Sequence, residues 1–357
     1  MQRSVLKFDN AIKSTETRRI YNYYLNKFLI WSKIKEPDGL LQLKDTYLQT
    51  ILEDYLFYLK KSLSPNSLTP IFAALELFFT MNDKVLNFKK LRKMFPERVK
   101  SSGRGYWETK DVQFMLKNIK SRRTRAIIHF LASTGCRIGA LQDLKIKNLE
   151  DIEQGCKKVL FYEDTKEEYL GFLTPEANQA LEEYFDERRK ANEHFSPESP
   201  VFRASFHVGS AKGKPVKTNT IKMNLYRVIH RLMQRQKTGT RYNIQAEHGF
   251  RKRFATILKT NDHANISLVE KLLGHKGVVY LDGAYFNPNT KTLFEEFKKH
   301  ILDLTIDPSE RDRIKIATLE VALSEKEKLH DEIKRQRQAI DYLLSKDPDA
   351  KKSLNLS

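Results

Sequence analysis

Hydrophobic spacing over the first hundred residues predicts a small helical domain. Residues 14–31 and 47–61 place apolar side chains at steps of three and four, as one buried face of a helix requires. Ser64-Pro65 is typical of an N-cap followed by a first-turn proline, so we expect a third helix from there to about Asn82.

The pattern beyond residue 105 is mixed. Helical stripes cover 109–119 and 122–133, and a further helix is expected to open at Arg137. Residues 157–162 and 169–173 are short, aromatic or β-branched segments that flank a polar turn, which predicts a β-hairpin. The fold class is therefore mainly α with a small antiparallel β-sheet, an α+β fold.

Beyond Pro175 the pattern is helical almost to the end, with loops at 207–217 and 237–243. From Ile316 onward, apolar residues recur at coiled-coil steps, but charged residues interrupt the same register. We expect one helix of about 30 residues here, some 45 Å long. Two roles stay open for it: self-association, or packing as a charged helix on its own subunit.

Charge is concentrated in two segments of the chain. The formal net charge is +19. Residues 84–104 carry +7 and residues 203–259 carry +13, so the rest of the chain is close to neutral. Two such basic surfaces indicate a polyanionic partner. The Ser- and Gly-rich end of the first segment predicts an exposed linker between domains.

The sequence excludes several classes of protein. The chain has two cysteines, Cys136 and Cys156, too few for a disulfide framework or a thiolate zinc site. It has no long apolar run and no signal peptide. We therefore expect a non-exported protein in a reduced cytosolic setting, with no membrane contact and no thiolate-bound metal.

Three short motifs contain the candidate chemistry. On a helix, His248 and Arg251 project from one face, and this pairing of imidazole and guanidinium suits a phosphate. Gly274 is placed to end a helix, which leaves His275 turned outward. Arg137 follows Thr134-Gly135 at the expected start of a helix, where the helix dipole would help it attract an anion.

The order of these residues resembles the active-site series of the tyrosine recombinase, or phage-type integrase, family. The strings STGCRIGALQDL, HGFRKRFAT and KLLGHKG are similar to the family's motifs, and Lys166 and Tyr285 complete the series. DGAYFNP and EEYLGFLTPEA most resemble archaeal members, such as virus or plasmid integrases.

The resemblance implies four parts along the chain: a helical core-binding, DNA-clamping domain over 1–83, a basic linker over 84–105, a catalytic domain over 106–305 and a C-terminal helical tail over 306–357. It also implies a site-specific recombinase that integrates or excises a mobile genetic element. The partners would be double-stranded DNA attachment sites, bound by a homotetramer that is a monomer or dimer when free. The resemblance further implies a location in the host cytosol or nucleoid, and a reaction that uses no metal and no cofactor.

The resemblance assigns a role to each site residue. Tyr285 is the nucleophile that forms a 3′-phosphotyrosyl bond, and Arg137 and Arg251 meet the charge on the phosphate in place of a metal ion. His248 is the candidate base, Lys166 the proton donor to the leaving 5′-oxygen, and His275 a hydrogen-bond partner of the phosphate.

Two assignments have alternatives. In much of the family the tyrosine lies nine residues after the last histidine, but here that position is Ala284, with Tyr280 before it and Tyr285 after it. Lys157 or Lys158 on the first hairpin strand could replace Lys166.

The residues expected to contact DNA are the basic side chains of the two charged segments: Lys84, Lys89, Lys90, Arg92, Lys93, Arg104, Lys212, Lys214, Lys217, Arg241, Lys252 and Arg253. Three other functions stay open. They are Xer-like resolution of chromosome dimers, relaxation of supercoils as in a type IB topoisomerase, and sequence-specific DNA binding without catalysis.

Overall fold

The computed structural model describes residues 2–97, 105–205, 213–238, 241–275 and 286–346. The chain divides into two compact units, with the boundary between Ser101 and Ser102. In the described part of the first unit the helices are α1 (Arg3–Asn10), α2 (Thr15–Ser32), α3 (Pro37–Leu41), α4 (Asp45–Lys60), α5 (Pro65–Met81) and α6 (Phe88–Lys93).

The first unit is built around an aromatic core. The predicted helices at 14–31, 47–61 and from Ser64 are confirmed as α2, α4 and α5. Ser14 caps α2 by accepting a hydrogen bond from the Thr17 N–H. The core residues packed between these helices are Phe8, Phe28, Tyr55, Phe72, Phe78 and Phe79.

The segment 84–105 is not an exposed linker throughout, because residues 84–97 pack on the first unit. Phe88 and Leu91 of α6 are buried in the aromatic core. The Lys84 ammonium lies 2.9 Å from Asp45 Oδ1 and also donates to the Leu43 carbonyl. The apolar residues at positions 88 and 91, one helical turn apart, explain why this basic segment folds back.

The second unit is mixed, as predicted. Its described helices are α7 (Thr109–Lys117), α8 (Arg122–Thr134), α9 (Ala140–Asp143), α10 (Pro175–Lys190), α11 (Thr218–Leu232), α12 (His248–Lys259), α13 (Ile266–Leu272), α14 (Thr290–Lys298), α15 (Ile301–Leu304) and α16 (Pro308–Lys346). The described strands are β1 (Leu149–Asp151), β2 (Lys157–Phe161), β3 (Tyr169–Leu173), β4 (Lys237–Thr238) and β5 (Arg241–Tyr242).

The predicted β-hairpin is confirmed as β2 and β3, which pair antiparallel with Phe161 opposite Tyr169. A strand that the pattern did not predict, β1, extends the sheet on the other side of β2. A second, two-stranded sheet, β4–β5, occupies the loop predicted at 237–243. Among the described residues the fold is thus mainly helical with small antiparallel sheets, as the sequence analysis expected.

The sheet separates two hydrophobic clusters. Val159 and Phe161 of β2 pack with α8, α10 and α11 in the larger cluster, whereas Phe172 of β3 packs with α12, α13 and α14 in the smaller one. This arrangement brings α8, β3, α12 and α13 together, and these are the elements that hold the candidate site.

Two helix predictions need correction. No long helix opens at Arg137: its carbonyl accepts from the Ala140 N–H at 2.9 Å, and only the single turn α9 follows before Leu144 becomes extended. The tail helix begins earlier than Ile316, at Pro308, and runs for 39 residues. Within the described residues, no helix combines the length and apolar character needed to cross a membrane.

Candidate active site

Arg251 joins three separate parts of the second unit. Its Nη1 donates to the Gly135 carbonyl at 2.7 Å, and its Nη2 donates to the Leu273 carbonyl at 2.6 Å. The same Nη2 lies 2.8 Å from Nε2 of His275. Burial lowers the pKa of the Arg251 guanidinium, although it stays charged at neutral pH. The residues of the three sequence motifs therefore meet at one guanidinium.

Gly135 allows α8 to end where Arg251 can reach it. Its φ is +57°, and a Cβ there would lie 2.6 Å from the Phe254 ring. Two reasons therefore require glycine here: L-residues rarely adopt a positive φ, and the Phe254 ring fills the space that a Cβ would need. The chain then turns through the buried Cys136, whose pKa burial raises to about 12, and leads directly to Arg137.

Arg137 lies near Arg251, and its charge adds to burial in lowering the pKa of the Arg251 guanidinium. Its Nη1 is shielded from solvent and has no hydrogen-bond partner among the described residues. The nearest carboxylate is Glu167 on the turn between β2 and β3, with Oε2 at 3.8 Å. A shielded donor beside a second guanidinium is the arrangement that a phosphate oxygen would satisfy.

His275 is placed by the end of α13. The His275 N–H donates to the Glu270 carbonyl at 3.0 Å, and the Gly274 N–H donates to the Lys271 carbonyl at 2.9 Å. These two bonds form a Schellman motif, which needs the left-handed conformation that Gly274 adopts at φ +64°. The prediction that Gly274 ends this helix and turns His275 outward is confirmed.

Glu270 was not predicted from the sequence, yet it contacts His275 directly. Its Oε2 lies 2.6 Å from His275 Nδ1, and its Oε1 pairs with Lys259 at the end of α12. The Glu270 side chain is 8% exposed and that of His275 is 40% exposed. Burial opposes ionisation of Glu270, but hydrogen bonds from Lys259 and His275 outweigh it and lower the pKa of this carboxyl.

His248 is the first residue of α12 and is exposed, one helical turn before Arg251. On a helix, residues three apart lie on the same side, so His248 is on the side of α12 that carries Arg251. The predicted helical relation between His248 and Arg251 is confirmed, whereas a role as base stays a prediction.

The hairpin lysines differ in their surroundings. Lys166 is exposed on the turn between β2 and β3, next to Glu167, which faces Arg137. The Lys157 ammonium is buried and lies 2.8 Å from Asp151 and 3.1 Å from Glu182. Lys158 pairs with Glu150. Both alternative lysines are thus paired with carboxylates of β1 or α10. This favours Lys166 as the proton donor.

Tyr280 and Tyr285 lie outside the described residues. Two other tyrosines, Tyr162 and Tyr169, lie near Arg137 and Arg251, which the sequence pattern does not predict. Burial raises the pKa of both phenols. Tyr169 also fills the space at Gly274, where a Cβ would lie 2.6 Å from its ring. Both are therefore packing residues, and the raised pKa of each phenol makes it a poor nucleophile.

The residues predicted to contact DNA divide into three sets. Arg104 and Lys212 lie outside the described residues. Lys84, Lys90 and Arg92 form ion pairs within the first unit, with Asp45, Glu53 and Glu76. The remaining set is mostly exposed, with Lys252 half-buried: Lys89, Lys93, Lys214, Lys217, Arg241 and Lys252.

Arg253 is the exception, and its assignment to the DNA surface is wrong. It is 1% exposed. Its Nη2 donates to Thr109 Oγ1 at 3.1 Å and to the Leu304 carbonyl at 3.2 Å. Burial lowers its pKa to about 10. The side chain ties α12 to the start of α7 and the end of α15, so it holds the unit together instead of facing solvent.

Comparison with known proteins gives matches over the same region. Residues 106–291 match the family model described as the phage integrase family. Tyrosine recombinase XerC of Treponema denticola is 25% identical over 290 residues, which cover 73% of this chain and 86% of that protein. Tyrosine recombinase XerC of Lactobacillus delbrueckii subsp. bulgaricus is 28% identical over 179 residues, covering 50% of this chain and 55% of that protein.

Two solved structures share the fold. A lambda integrase dimer bound to a COC′ core site has a TM-score of 0.51 at 13% identity, covering 82% of this chain and 76% of that one. The Tn1549 transposon integrase in complex with transposon right end DNA has a TM-score of 0.50 at 14% identity, covering 83% and 98%. At these identities the likeness concerns the fold alone.

Proposed function

The chain belongs to the phage integrase family and is a tyrosine site-specific recombinase, and we propose that it breaks and rejoins DNA strands through a covalent 3′-phosphotyrosyl intermediate. The observation that supports this best is the set of contacts at Arg251. Hydrogen bonds from one guanidinium to Gly135, Leu273 and His275 bring the Arg137 turn and the His275 turn to the same place. A phosphodiester bound there meets two guanidiniums and an imidazole.

In the cleavage step, the Tyr285 phenolic oxygen attacks the scissile phosphorus. A bond forms between that oxygen and phosphorus, the bond to the 5′-oxygen breaks, and its electron pair leaves with the 5′-oxygen. Arg137 and Arg251 bind the non-bridging oxygens, where negative charge increases in the transition state. The energy of the broken bond is retained in the phosphotyrosyl ester, so religation needs no external source.

Two proton transfers accompany this exchange. His248 takes the phenolic proton from Tyr285, and Lys166 gives a proton to the departing 5′-oxygen. The exposed position of Lys166, on a turn whose next residue faces Arg137, supports this role. Religation runs the same transfers in reverse, with a 5′-hydroxyl from the partner duplex as the nucleophile.

The assembly we propose is a homotetramer that holds two duplexes and exchanges strands in turn. The first unit and the exposed basic residues of the second clamp each DNA arm. The tail over 306–357 joins subunits: α16 exposes Leu319, Leu323, Ile333 and Ile340, each more than two-fifths accessible, along one side. Exposed apolar residues at coiled-coil steps, even with charged residues between them, are characteristic of a helix that pairs.

The biological role we favour is integration or excision of a mobile genetic element, since a 39-residue C-terminal helix exceeds what strand exchange alone requires. Xer-like resolution is the second candidate, because the XerC of Treponema denticola aligns over most of its own length. Recombination assays separate the two. A resolvase recombines two copies of one site on one molecule, whereas an integrase joins different sites on two molecules.

The deciding experiment uses duplexes selected by binding from a random pool and then nicked near the cleavage position, so that cleavage traps the covalent product. Wild type, Tyr285→Phe and Tyr280→Phe are compared on denaturing gels. We expect a covalent protein–DNA band that only Tyr285→Phe abolishes. Loss of the band with Tyr280→Phe alone would reassign the nucleophile.

Two further outcomes would contradict the proposal. Tight, salt-sensitive binding with no covalent band would indicate a DNA-binding protein that has lost catalysis. Relaxation of a supercoiled plasmid that lacks the selected site would indicate topoisomerase-like activity without site-specific recombination.

A further inference from the structure

Glu270 makes a contact that the roles assigned to the site residues leave unexplained. It is 6% exposed, lies five residues before His275, and binds the imidazole from the side opposite Arg251. A buried carboxylate is costly unless it is paired. Here Lys259 and His275 both pair with it, so Glu270 can stay ionised on the Nδ1 side of the His275 ring.

The two neighbours of His275 select one protonation form of its ring. Arg251 has only donors, so its Nη2 at 2.8 Å requires a lone pair on His275 Nε2. The ionised Glu270 has only acceptors, so its Oε2 at 2.6 Å requires a proton on Nδ1. Both contacts agree on a neutral imidazole with its proton on Nδ1.

We propose that Glu270 is a positioning residue of the recombinase: it fixes the orientation and the Nδ1–H form of His275, so that Nε2 faces Arg251 and the scissile phosphate. This inference rests on the proposed function. When phosphate binds, Nε2 either continues to accept from Arg251, which holds the guanidinium fork in place, or takes up a proton and donates to a phosphate oxygen. The Glu270 carboxylate stabilises both arrangements.

The local fold gives this pairing its rigidity. The Schellman motif links the same two residues through the backbone, since the His275 N–H donates to the Glu270 carbonyl. Gly274 is fixed between them by its positive φ and by the Tyr169 ring. Lys259 anchors the other carboxylate oxygen to the end of α12, the helix that presents Arg251. His275 therefore has little freedom to adopt another rotamer.

The test compares Glu270→Ala and Glu270→Gln with wild type, and uses Glu295→Ala as the matched control. Glu295 is a half-exposed glutamate on α14 that pairs with Lys298, outside the site. The first readout is the nitrogen chemical shifts of the His275 ring in the free protein, assigned with a His275→Gln sample. The second is the single-turnover rate of covalent product formation on the nicked duplex, measured with the DNA dissociation constant.

We expect Glu270→Ala to slow covalent product formation about tenfold to a hundredfold, by analogy with the loss found when the hydrogen-bond partner of a metal-binding histidine is removed. DNA affinity should change little, because the buried Glu270 side chain has no contact with DNA in the proposed arrangement. The ring should lose its single Nδ1–H form. Glu270→Gln retains an acceptor, so it should keep the Nδ1–H signature and recover most of the rate. Glu295→Ala should match wild type in both readouts.

The inference is overturned if Glu270→Ala, folded as judged by its melting temperature, keeps both the ring signature and the rate of wild type. It is also overturned if Glu270→Gln and Glu270→Ala lose rate equally while the ring signature persists in both. If wild type itself forms no covalent product, the proposed function fails. The ring shifts then decide independently whether Glu270 sets the form of His275.

Discussion

Glu167 faces Arg137 across the site, with its Oε2 3.8 Å from the arginine Nη1. The carboxylate lies on the turn between β2 and β3, beside Lys166, and the guanidinium is one of two that would bind the scissile phosphate. A carboxylate in this position competes with a phosphate oxygen for the same donor. We therefore expect DNA binding to displace the exposed Glu167 side chain, on the turn that also holds Lys166.

We expect Glu167→Gln to bind its DNA site more tightly than wild type, because a competing negative charge has been removed. The gain should be small, about twofold to fivefold, since Arg137 and Glu167 are 41% and 67% exposed and water screens the pair. Fluorescence anisotropy at two salt concentrations measures it, with Glu168→Gln as the neighbouring control. An unchanged affinity at low salt would show that Glu167 does not compete with DNA.

Lys166→Ala should slow cleavage by a factor of about 10² to 10⁴, the usual contribution of a general acid. Replacing the bridging 5′-oxygen of the substrate by sulfur should restore the rate, because a thiolate leaves without being protonated. Lys158→Ala is the control and should behave as wild type on both substrates. If Lys158→Ala shows the defect and the sulfur rescue instead, the proton donor is on β2 and not on the turn.

Much of this site could be predicted because its residues lie in short, locally determined segments. The helix from His248, the stop at Gly274 and the β2–β3 hairpin each follow from periodicity or from one turn residue. Glu270 could not be found in this way. It and His275 are five residues apart, a spacing that brings side chains together only when a Schellman turn ends the helix between them.

The errors have a tertiary origin as well. The basic run around Arg253 predicts contact with DNA. However, α15 and the start of α7 pack on this face of α12 and bury the side chain. Similarly, the Ser- and Gly-rich end of 84–104 predicts an exposed linker, although Phe88 and Leu91 anchor α6 in the first unit. In both segments the packing of one or two side chains decides the structure, and the local sequence pattern does not show which distant elements those side chains contact.

Gly274→Ala should both destabilise the second unit and disturb His275. A positive φ of 64° costs an L-residue about 1–2 kcal/mol. In addition, the new Cβ would lie 2.6 Å from the Tyr169 ring. Gly155→Ala is a matched control, since Gly155 has φ +70° but its Cβ would make only an ordinary 3.7 Å contact with Pro175.

Both variants should lower the melting temperature, Gly274→Ala by more. Only Gly274→Ala should also reduce the single-turnover cleavage rate, because it alone moves the turn that holds His275. Differential scanning calorimetry and the nicked-duplex assay measure the two effects. Equal losses of stability in the two variants, with cleavage retained in both, would show that the Tyr169 contact is easily relaxed and that the Gly274 turn does not set the site.

The second unit should lose stability as the pH falls from about 6.5 to about 4. Burial lowers the pKa of His129 from its ordinary 6.5 to about 4. The unfolded chain therefore binds a proton in this window while the folded chain does not, which favours unfolding by up to about 3 kcal/mol. Glu176, 3.7 Å from His129 Nδ1, has the opposite effect on stability. Burial raises its pKa, so the folded chain binds this proton before the unfolded chain does as the pH falls.

Urea unfolding of the Trp31→Phe protein, in which Trp107 is the remaining tryptophan, reports on this unit. We expect His129→Gln, made in the same background, to reduce the change in the free energy of unfolding between pH 6.5 and 4. The difference between the two proteins isolates His129 from the other groups that titrate. Parallel curves would show that His129 is not the group responsible.

The tail helix α16 should pair with a second copy in the antiparallel direction. Residues 320–332 contain five acidic and two basic side chains, whereas residues 333–346 contain four basic and one acidic. Antiparallel pairing places the acidic stretch of one copy against the basic stretch of the other, and parallel pairing opposes like charges. Exposed apolar side chains follow the same part of the helix: Leu319 directly precedes the acidic stretch, Leu323 lies within it, and Ile333 begins the basic stretch.

Sedimentation velocity at increasing concentration should therefore show a species of about twice 41.9 kDa. Leu323→Glu combined with Ile333→Glu should return the protein to monomer, since two carboxylates would then be buried in the pair at a cost that pairing cannot offset. Lys328→Glu changes charge on the side of the helix away from the apolar stripe and serves as control. A wild type that stays monomeric at tens of micromolar, or a double variant that still dimerises, would show that α16 does not join subunits.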